Sequence, residues 1–401
     1  MKILMVNKFL YNRGGAETYA FELAQYQQSL GYEVQFFGME DPQNIHFNEV
    51  GLYTKNLEFK GFSVSQITYP FRIIYSNEAR KKIRKILNNF KPDYVHLNNI
   101  NFQLTPSIIY EIKSFGIPII QTLHDFQLVC PNHMMYREHD DVICEDCKGR
   151  NYKMCFKNKC IHGSRVKSLL GAIEGRLYYN LKTYEKIDSF ISPSRFLKNK
   201  MVEFGEDEKN IHVIHNFIKR DYEYAYFEKK DYILYFGRLS VQKGIRTLLE
   251  VAKELKDVQF VIAGGGELEE EVVKASQEAS NIKFVGFQTG ENLINLIGKA
   301  KLSVLPTQWY ENCPMSILES FMLGTPVIGS EIGGVPELIR NEIDGFLFEP
   351  KDKNGLKEAI LKALRDDDLL KSMSKSAKER LEDFSIESYH DKLMDIVKPL
   401  L

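Results

Sequence analysis

The sequence predicts an α/β protein with two parallel-sheet domains, and three observations support this. The chain has 401 residues, more than one hydrophobic core usually serves, so two domains of about 150 to 200 residues are expected. Short runs rich in Val, Ile and Phe alternate with helix-length patterns, which favours βαβ units with parallel strands. This series occurs twice, and residues 216–224, which have neither period, separate the two occurrences.

The first series predicts an amino-terminal domain over residues 1–215. Residues 16–30 are apolar on one helical face and Gly31 follows them as a C-cap glycine would, so residues 7–15 are a strand-to-helix loop. Strands are predicted at residues 3–6, 33–37, 94–97, 118–123, 190–192 and 212–215.

The second series predicts a carboxyl-terminal domain over residues 231–380, after a linker at 216–230, with a last helical segment at 381–401. Pro314 suits the first turn of a helix because its φ is fixed at a helical value, so a helix is predicted to start at about Cys313. Strands are predicted at residues 233–236, 259–263, 283–285, 303–305, 326–328 and 346–348.

Composition and charge exclude several classes of protein. The formal net charge is −1 at pH 7, whereas a nucleic-acid-binding protein needs a clear basic excess. No apolar run reaches the roughly 18 residues of a membrane helix, and the apolar run at the amino terminus is too short for a signal peptide. We therefore expect a cytoplasmic protein whose six cysteines stay reduced.

Two carboxylates flank the predicted helix start after the 303–305 strand. Glu311 lies in the loop before the helix, and Glu319 lies more than one turn into it. The unpaired amides of a helix start attract phosphate, and carboxylates accept hydrogen bonds from sugar hydroxyls. Any isolated pair at this spacing is more often two surface acids, but the context here favours a nucleotide-sugar site.

Two cations follow the 233–236 strand and supply that context. Arg238 and Lys243 leave the carboxyl end of the strand together, which is the edge where open parallel sheets bind ligands. A guanidinium fork and an ammonium provide the positive charge that two phosphates require. The sequence thus predicts a diphosphate site in the second domain.

The ordered motifs resemble retaining glycosyltransferases of family 4, which have the GT-B fold. The resemblance covers the chain from the first strand to about residue 350. It implies two Rossmann-like domains facing a central cleft, with the last helix crossing back to the amino-terminal domain. The matching motifs are Asn12-Arg13-Gly14-Gly15-Ala16-Glu17, His124-Asp125, Ser192-Pro193-Ser194, Gly237-Arg238, Lys243-Gly244, Gly264-Gly265-Gly266, Glu311 to Glu319 and Gly333-Gly334-Val335-Pro336-Glu337.

The resemblance also implies roles for individual residues. Arg238 and Lys243 stabilise charge on the departing diphosphate, Glu311 contacts the transferred sugar, and His124 lies near the reacting centre. Glu319 holds the ribose hydroxyls. The remaining residues assigned to donor binding are Gly14, Gly15, Gly265, Phe287, Asn312, Cys313, Met315 and Ser316. We expect Gly14 and Gly15 to adopt positive φ in a loop against the diphosphate.

The activity that the resemblance implies is retaining transfer of a hexosyl unit from a UDP- or GDP-sugar. The acceptor would be a hydroxyl of a lipid-linked or saccharide molecule, in polysaccharide or glycolipid synthesis. A GT-B sugar-nucleotide epimerase, which would share the diphosphate site, is an alternative hypothesis. A non-catalytic partner subunit of a glycosyltransferase is another. An NAD-dependent dehydrogenase is disfavoured because no Gly-x-Gly-x-x-Gly follows the first strand.

A cysteine-rich insertion, at about residues 130–164, follows His124. Cys144 and Cys147 have zinc-ligand spacing, and two of Cys155, Cys160 and His162, with the two cysteines preferred, would complete a structural site. Reduced, unligated thiols are an equal alternative. No catalytic metal is expected, because the cations and the helix start already neutralise a diphosphate.

A basic cluster lies in the helix that ends near Phe90. Such a run is usually a solvated face, and the alternative is peripheral contact with anionic lipid at the inner face of the membrane. Its members are Arg80, Lys81, Lys82, Arg84 and Lys85.

Overall fold

The computed structural model describes residues 1–56, 69–219 and 226–401. Part of the predicted linker, residues 220–225, lies outside the described residues. The chain divides into two compact units, which we call unit 1 and unit 2. Unit 1 comprises Met1–His139, Cys144–His215 and Tyr389–Leu401, and unit 2 comprises Asp140–Ile143 and Asn216–Ser388.

Unit 1 contains a six-stranded parallel sheet in the order β2-β1-β3-β4-β7-β8. The strands up to residue 215 are β1 Lys2–Val6, β2 Glu33–Phe37, β3 Tyr94–Leu97, β4 Ile119–Thr122, β5 Tyr136–Arg137, β6 Val142–Ile143, β7 Ser189–Ser192 and β8 Ile211–Val213. The helices are α1 Gly15–Ser29, α2 Tyr69–Ile74, α3 Asn77–Phe90, α4 Ser107–Lys113, α5 Lys153–Lys157, α6 Arg165–Asn180 and α7 Arg195–Glu203.

Unit 2 contains a second six-stranded parallel sheet in the order β11-β10-β9-β12-β13-β14. Its strands are β9 Lys230–Phe236, β10 Phe260–Ala263, β11 Ile282–Phe284, β12 Ala300–Leu305, β13 Val327–Ser330 and β14 Gly345–Phe348. The helices are α8 Ile245–Glu254, α9 Glu269–Glu278, α10 Gly290–Lys299, α11 Met315–Met322, α12 Val335–Leu338, α13 Lys353–Leu364, α14 Asp367–Arg380 and α15 Ile386–Val397.

The central strand β9 is buried on both faces of its sheet. Ile233 and Tyr235 pack into one hydrophobic cluster, whereas Leu234 and Phe236 pack into another. Alternate side chains of a strand point to opposite faces, so helices must cover both sides of the sheet. This explains why the buried part of the strand is a continuous run of apolar residues and does not alternate between apolar and polar residues.

The predicted alternation of strands and helices is confirmed in both units, and the ends of the elements differ by a few residues. Helix α1 ends at Ser29, and Gly31 follows with a φ of +83°, as expected for a glycine after a helix. Helix α11 begins at Met315, two residues after the predicted start, because Pro314 has an extended ψ of 116° and is the N-cap.

The last helix, α15, contains the boundary between the units. From Tyr389 onward its residues belong to unit 1, and the Tyr389 hydroxyl is hydrogen-bonded to the Tyr19 hydroxyl. Tyr19 is also 2.9 Å from Thr122 Oγ1.

The described residues contain no helix with the length and hydropathy needed to cross a bilayer.

Replacing Asn281 by Ala should destabilise unit 2 by about 1–3 kcal/mol. The buried Asn281 Nδ2 lies 2.9–3.0 Å from the carbonyl oxygens of Ala252, Leu255 and Val258, and buried carbonyls that lose their donor keep the cost of desolvation. Urea unfolding followed by the fluorescence of Trp309 would measure the loss, because the chain has one tryptophan and it lies in unit 2.

The matched control is Asn295→Ala. Its amide donates to Glu291 O at 2.8 Å from an exposed helix position, so its removal should change stability by at most about 0.5 kcal/mol. Equal effects of the two substitutions would contradict the structural role assigned to Asn281.

Candidate active site

The residues predicted to bind a nucleotide sugar in unit 2 follow the carboxyl ends of β9, β10, β11 and β12. Strand β9 lies between β10 on one side and β12 on the other, so the chain reverses its direction of progress across the sheet at β9. Open α/β sheets bind ligands at such a switch point. The loops that leave these strands therefore form the candidate site.

Glycines let the loops after β9 and β10 lie in direct contact. A Cβ added to Gly264 would lie 1.9 Å from Gly237 O, and one added to Gly266 would lie 2.4 Å from Leu239 O. The Leu239 amide donates to Gly265 O at 3.0 Å. The predicted residue Gly265 is thus held against the loop that carries Arg238, and no larger residue fits at its two neighbours.

The β9 loop also packs against the loop after β12. Gly244 has a φ of +71°, and a Cβ there would lie 1.7 Å from Pro306 O. The Gln308 amide donates to Gln242 O at 2.8 Å. This contact brings together Lys243 and Glu311, which are 68 positions apart in the chain.

Glu311 is the centre of a hydrogen-bonded cluster. Its Oε1 accepts from Lys243 Nζ at 2.5 Å, from Trp309 Nε1 at 2.8 Å and from Thr307 Oγ1 at 3.0 Å. The Lys243 ammonium also lies 5.4 Å from the centre of the Trp309 ring. Only 7% of Glu311 is exposed, so three donors fix the direction of a carboxylate that is almost withdrawn from solvent.

The start of α11 lies directly after this cluster. Its N-cap, Pro314, provides no side-chain hydrogen bond to the first turn. The Ile317 amide donates to Pro314 O at 3.1 Å, and the Met315 and Ser316 amides are available to an anion. Asn312, Met315, Ser316 and Glu319 are half-buried around this end of the helix.

Cys313 is placed differently from the other predicted donor-binding residues of this loop. Its side chain is buried in the core of unit 2, and this burial raises the pKa of the thiol to about 12. The thiol therefore stays protonated, and Cys313 presents only its backbone to a ligand.

Arg238 and Phe287 are the exposed members of the unit 2 site. Arg238 follows β9 by two residues, is exposed, and forms no ion pair with any described residue. Its carbonyl accepts from the buried Tyr235 hydroxyl at 2.7 Å, which anchors the loop. Phe287 is 76% exposed and follows Gly286, whose carbonyl accepts from the Gly264 amide at 2.9 Å.

In unit 1 the predicted glycines lie at the start of α1. Gly14 is the N-cap and Gly15 is the first helical residue. The expectation of positive φ at these positions was wrong, since Gly14 has an extended φ of −174° and Gly15 is helical. A Cβ at Gly14 would meet only Glu17 Oε2, at 3.7 Å. The glycines instead leave an uncapped helix start that a ligand can approach closely.

His124 follows β4 and is held by neighbouring side chains of unit 1. Asn98 Oδ1 accepts a hydrogen bond from His124 Nε2 at 2.9 Å, and the Tyr19 ring meets the imidazole edge-on with centroids 5.1 Å apart. Burial lowers the pKa of His124 to about 3. His124 is therefore a neutral imidazole whose Nε2 carries the proton.

Sequence reasoning missed the role of Lys8, Glu17 and Asn98 in this part of unit 1. Glu17 is buried and accepts from Asn7 Nδ2 at 3.2 Å, and burial raises the pKa of its carboxyl. Burial lowers the pKa of Lys8, while the carboxylates of Asp125 and Glu17 oppose that shift. Lys8 and Asn98 each follow closely after a predicted strand, and that position was the available signal.

The cysteines of the insertion are free thiols, and three of them are near one another. Cys160 packs against the small cluster that contains Cys147 and Cys155, and burial raises the pKa of the Cys147 thiol. Among the described residues, no group of three or more His, Cys, Asp or Glu side chains is arranged to hold a metal ion. The zinc prediction gains no support from this geometry.

Three of the five basic side chains in the α3 cluster form ion pairs within unit 1. Arg80 and Arg84 both pair with the buried Glu111, and Lys82 pairs with Glu78 at 2.7 Å. Lys81 and Lys85 remain exposed. Arg80 and Arg84 thus hold α3 to α4, and three of the five cations that suggested a lipid-binding patch are engaged in ion pairs.

Comparison with known protein families agrees with the fold. The model for Glycosyltransferase Family 4 matches residues 13–222, and the model for Glycosyl transferases group 1 matches residues 219–380. Two parallel-sheet Rossmann-like domains with these profiles define a glycosyltransferase of the GT-B class, which confirms the predicted fold class. The chain belongs to Glycosyltransferase Family 4.

Individual relatives are more distant. An uncharacterized glycosyltransferase of Methanocaldococcus jannaschii is 28% identical over 232 residues, covering 57% of this chain and 64% of the relative, just under two thirds of its length. The UDP-Gal:alpha-D-GlcNAc-diphosphoundecaprenol alpha-1,3-galactosyltransferase of Escherichia coli is 33% identical over 171 residues, covering 40% and 43%. The crystal structure of HepE from Anabaena in complex with UDP matches with a TM-score of 0.70 at 16% identity, covering 100% of both chains.

Replacing Gly333 by Ala should disturb the Glu311 cluster. Gly333 has a φ of +63°, and a Cβ there would lie 2.3 Å from Glu311 O and 2.7 Å from Glu311 N. The added methyl must displace Glu311, so the emission of Trp309, which donates to that carboxylate, should shift and the unfolding midpoint should fall.

Gly290→Ala is the control. Gly290 has a similar φ of +56° but no atom within 4 Å of the added Cβ, so it shares the conformational cost of about 1 kcal/mol without the clash. The assignment fails if both variants change Trp309 emission equally.

His124 should remain neutral in the folded protein between about pH 4 and 8. Its folded pKa of about 3 lies below the unfolded value of about 6.5, so the unfolded state binds the proton first and His124 lowers stability as pH falls from about 6.5 to 3. The imidazole proton resonance, identified by its loss in His124→Gln, should not move over this range, and should titrate normally in urea. An inflection near pH 6.5 in the folded protein would contradict this environment.

Proposed function

We propose that this chain transfers a hexosyl unit from a UDP-sugar to a hydroxyl acceptor, with retention of the anomeric configuration. The observation that carries the proposal is the Glu311 cluster, in which Lys243 and a buried carboxylate lie directly before the uncapped start of α11. Phosphate suits the cations and the helix start, and sugar hydroxyls suit the carboxylates. A nucleotide sugar has both groups in one molecule.

The diphosphate would bind to Arg238, Lys243 and the first-turn amides of α11. Arg238 is exposed and unpaired among the described residues, so its five donors are available to phosphate oxygens. Charge grows on the diphosphate as the glycosidic bond breaks, and donors already in position stabilise that charge without reorganising. We attribute most of the rate acceleration to this stabilisation of the departing diphosphate.

The two glutamates would bind the ends of the donor. Glu311 accepts three hydrogen bonds on Oε1 and none from a described residue on Oε2, so Oε2 can accept from a hydroxyl of the transferred sugar. Glu319, one turn into α11, would accept from the ribose hydroxyls. Gly265 and the exposed ring of Phe287 would flank the nucleotide, together with Asn312, Met315, Ser316 and the backbone of Cys313.

The resemblance to family 4 implies donor contacts for two features of unit 1 as well. The Gly15 amide, at the uncapped start of α1 beside Gly14, would donate to the distal phosphate. His124 would contact the sugar as a neutral hydrogen-bonding group. With a pKa of about 3 its imidazole is a weak base, so proton removal falls to another group.

Retention would follow from attack on the face that the diphosphate leaves. The acceptor oxygen forms a bond to the anomeric carbon as the bond to the phosphate oxygen breaks, and the acceptor proton passes to that oxygen. A phosphate, with a second pKa of about 6, is a better base than His124. No covalent enzyme intermediate is required, and no metal is assigned to the reaction.

The relatives support the choice of donor and setting. Structures of HepE hold UDP or UDP-glucose, and the E. coli relative is named for transfer from UDP-Gal to a diphosphoundecaprenol-linked sugar. We therefore favour a UDP-sugar and a lipid-linked or saccharide acceptor. Synthesis of a polysaccharide or glycolipid would provide such an acceptor.

The test is a titration of the protein with UDP-, GDP- and ADP-sugars, followed by Trp309 fluorescence. A UDP-sugar should change the emission, because Trp309 contacts both Lys243 and Glu311. The double variant Arg238→Ala with Lys243→Ala should lose transfer by about a hundredfold or more, the usual effect of removing preorganised donors. Arg246→Ala is the control, since Arg246 is exposed on α8 and pairs with Glu271.

Product analysis distinguishes the rival activities. A transferase needs the acceptor and yields a product of the same anomeric configuration as the donor, as judged by NMR. Conversion of the donor sugar without an acceptor would indicate an epimerase. Nucleotide binding without any turnover, or full transfer by the double variant, would refute the proposed function.

A further inference from the structure

Helix α6 presents an apolar face to solvent. Val166 is 69% exposed, Leu169 is 43% exposed and Ile173 is 45% exposed. Their spacing of three and four residues places them on one side of a helix, and Leu170 and Leu177, both half-buried, fall on the same side. A surface helix normally turns its polar side to water, so α6 reverses the usual arrangement.

The opposite side of α6 packs against the rest of unit 1. Ser168, Gly171, Ala172 and Tyr178 are buried, and Ala172 packs with Cys147, Tyr152 and Cys155. The described part of unit 1 therefore leaves the outward apolar side chains largely uncovered. Each of them keeps water in contact with hydrocarbon, at a cost of about 25 cal/mol for every Å².

Positive charge surrounds this apolar side. Residues 153–180 contain six lysine and arginine residues and one acidic residue, Glu174, which is buried. Lys153, Lys157, Lys159 and Arg165 are exposed, and none of the four forms an ion pair with a described residue. Phe156, on α5 between two of these lysines, is 41% exposed.

We propose that this surface docks on an anionic lipid bilayer. We call it the α5–α6 face and define it by the apolar side chains Phe156, Val166, Leu169 and Ile173 and the basic side chains Lys153, Lys157, Lys159 and Arg165. An apolar stripe with a basic rim is the pattern of helices that lie in the membrane interface. The apolar side chains enter the boundary between headgroups and acyl chains, and the cations contact acidic headgroups.

Charge argues against a second copy of this chain as the occupant. A symmetric contact would place the same patch against itself, and the four unpaired cations would face one another, which is unfavourable. The bilayer provides the opposite charge together with hydrocarbon. Binding of the α5–α6 face to a bilayer does not depend on which sugar nucleotide the protein uses.

The α5–α6 face also replaces the lipid patch predicted on α3. Three of the five basic residues on α3 are held in ion pairs, which leaves Lys81 and Lys85 exposed with no apolar stripe beside them, since the apolar residues Ile83, Ile86 and Leu87 are buried. Lys81 and Lys85 on α3 are therefore a matched control for Lys153 and Lys157 on α5.

Co-sedimentation of the full-length chain with vesicles tests the proposal. The wild-type protein should bind vesicles of phosphatidylcholine mixed with phosphatidylglycerol, bind pure phosphatidylcholine weakly, and lose binding as salt is raised. Lys153→Ala with Lys157→Ala should weaken binding about thirtyfold, at about fivefold for each lysine removed. Lys81→Ala with Lys85→Ala removes the same charge and should change binding little.

A third variant tests the apolar part. Val166→Ser, Leu169→Ser and Ile173→Ser together should abolish binding while keeping a native circular dichroism spectrum and a cooperative thermal transition, since these side chains are 43–69% exposed. The proposal is wrong if the wild-type protein does not bind anionic vesicles. It is also wrong if Lys81→Ala with Lys85→Ala abolishes binding while Lys153→Ala with Lys157→Ala does not. A third contrary result would be a dimer that dissociates in the triple serine variant, with no vesicle binding by either protein.

Discussion

The Glu311 carboxylate and the three donors on its Oε1 are the interaction on which the unit 2 site depends. A carboxylate that is 7% exposed is costly unless charge and hydrogen bonds compensate it, and Lys243, Trp309 and Thr307 provide both. The ion pair between Lys243 and Glu311 also keeps Lys243 beside the start of α11. A cation, a fixed carboxylate and a set of unpaired amides are thereby held together before any ligand arrives.

Glycine makes this arrangement possible because the strand-end loops lie closer than side chains allow. Gly244 approaches Pro306 O, Gly264 approaches Gly237 O, and Gly333 approaches the Glu311 backbone, each at a distance that excludes a Cβ. The loops support one another across β10, β9, β12 and β13. Preorganisation of this kind is what a site needs if it is to stabilise a charge that develops only during the reaction.

Desolvation governs the corresponding part of unit 1. The same burial that lowers the pKa of His124 to about 3 lowers that of His96 to about 3, so two imidazoles near Thr122 are neutral donors and acceptors. Neutral groups there suit recognition of hydroxyls better than exchange of protons. In the proposed reaction the departing phosphate, rather than an imidazole, removes the acceptor proton.

The sequence by itself determined the alternation of strands and helices, the order of the motifs, and the position of Arg238, Lys243, Glu311 and His124 at strand ends. These features are local, since strand and helix periods and glycine turns are set by neighbouring residues.

Only the tertiary structure decided which residues meet. The partners of Glu311 depend on the strand order that makes β9 and β12 neighbours, and the extended φ of Gly14 depends on how α1 starts. Arg80 and Arg84 both pair with Glu111, a residue 27 to 31 positions away. The residue pattern of α6 also does not predict which side of the helix other elements cover, because burial depends on how the whole chain packs.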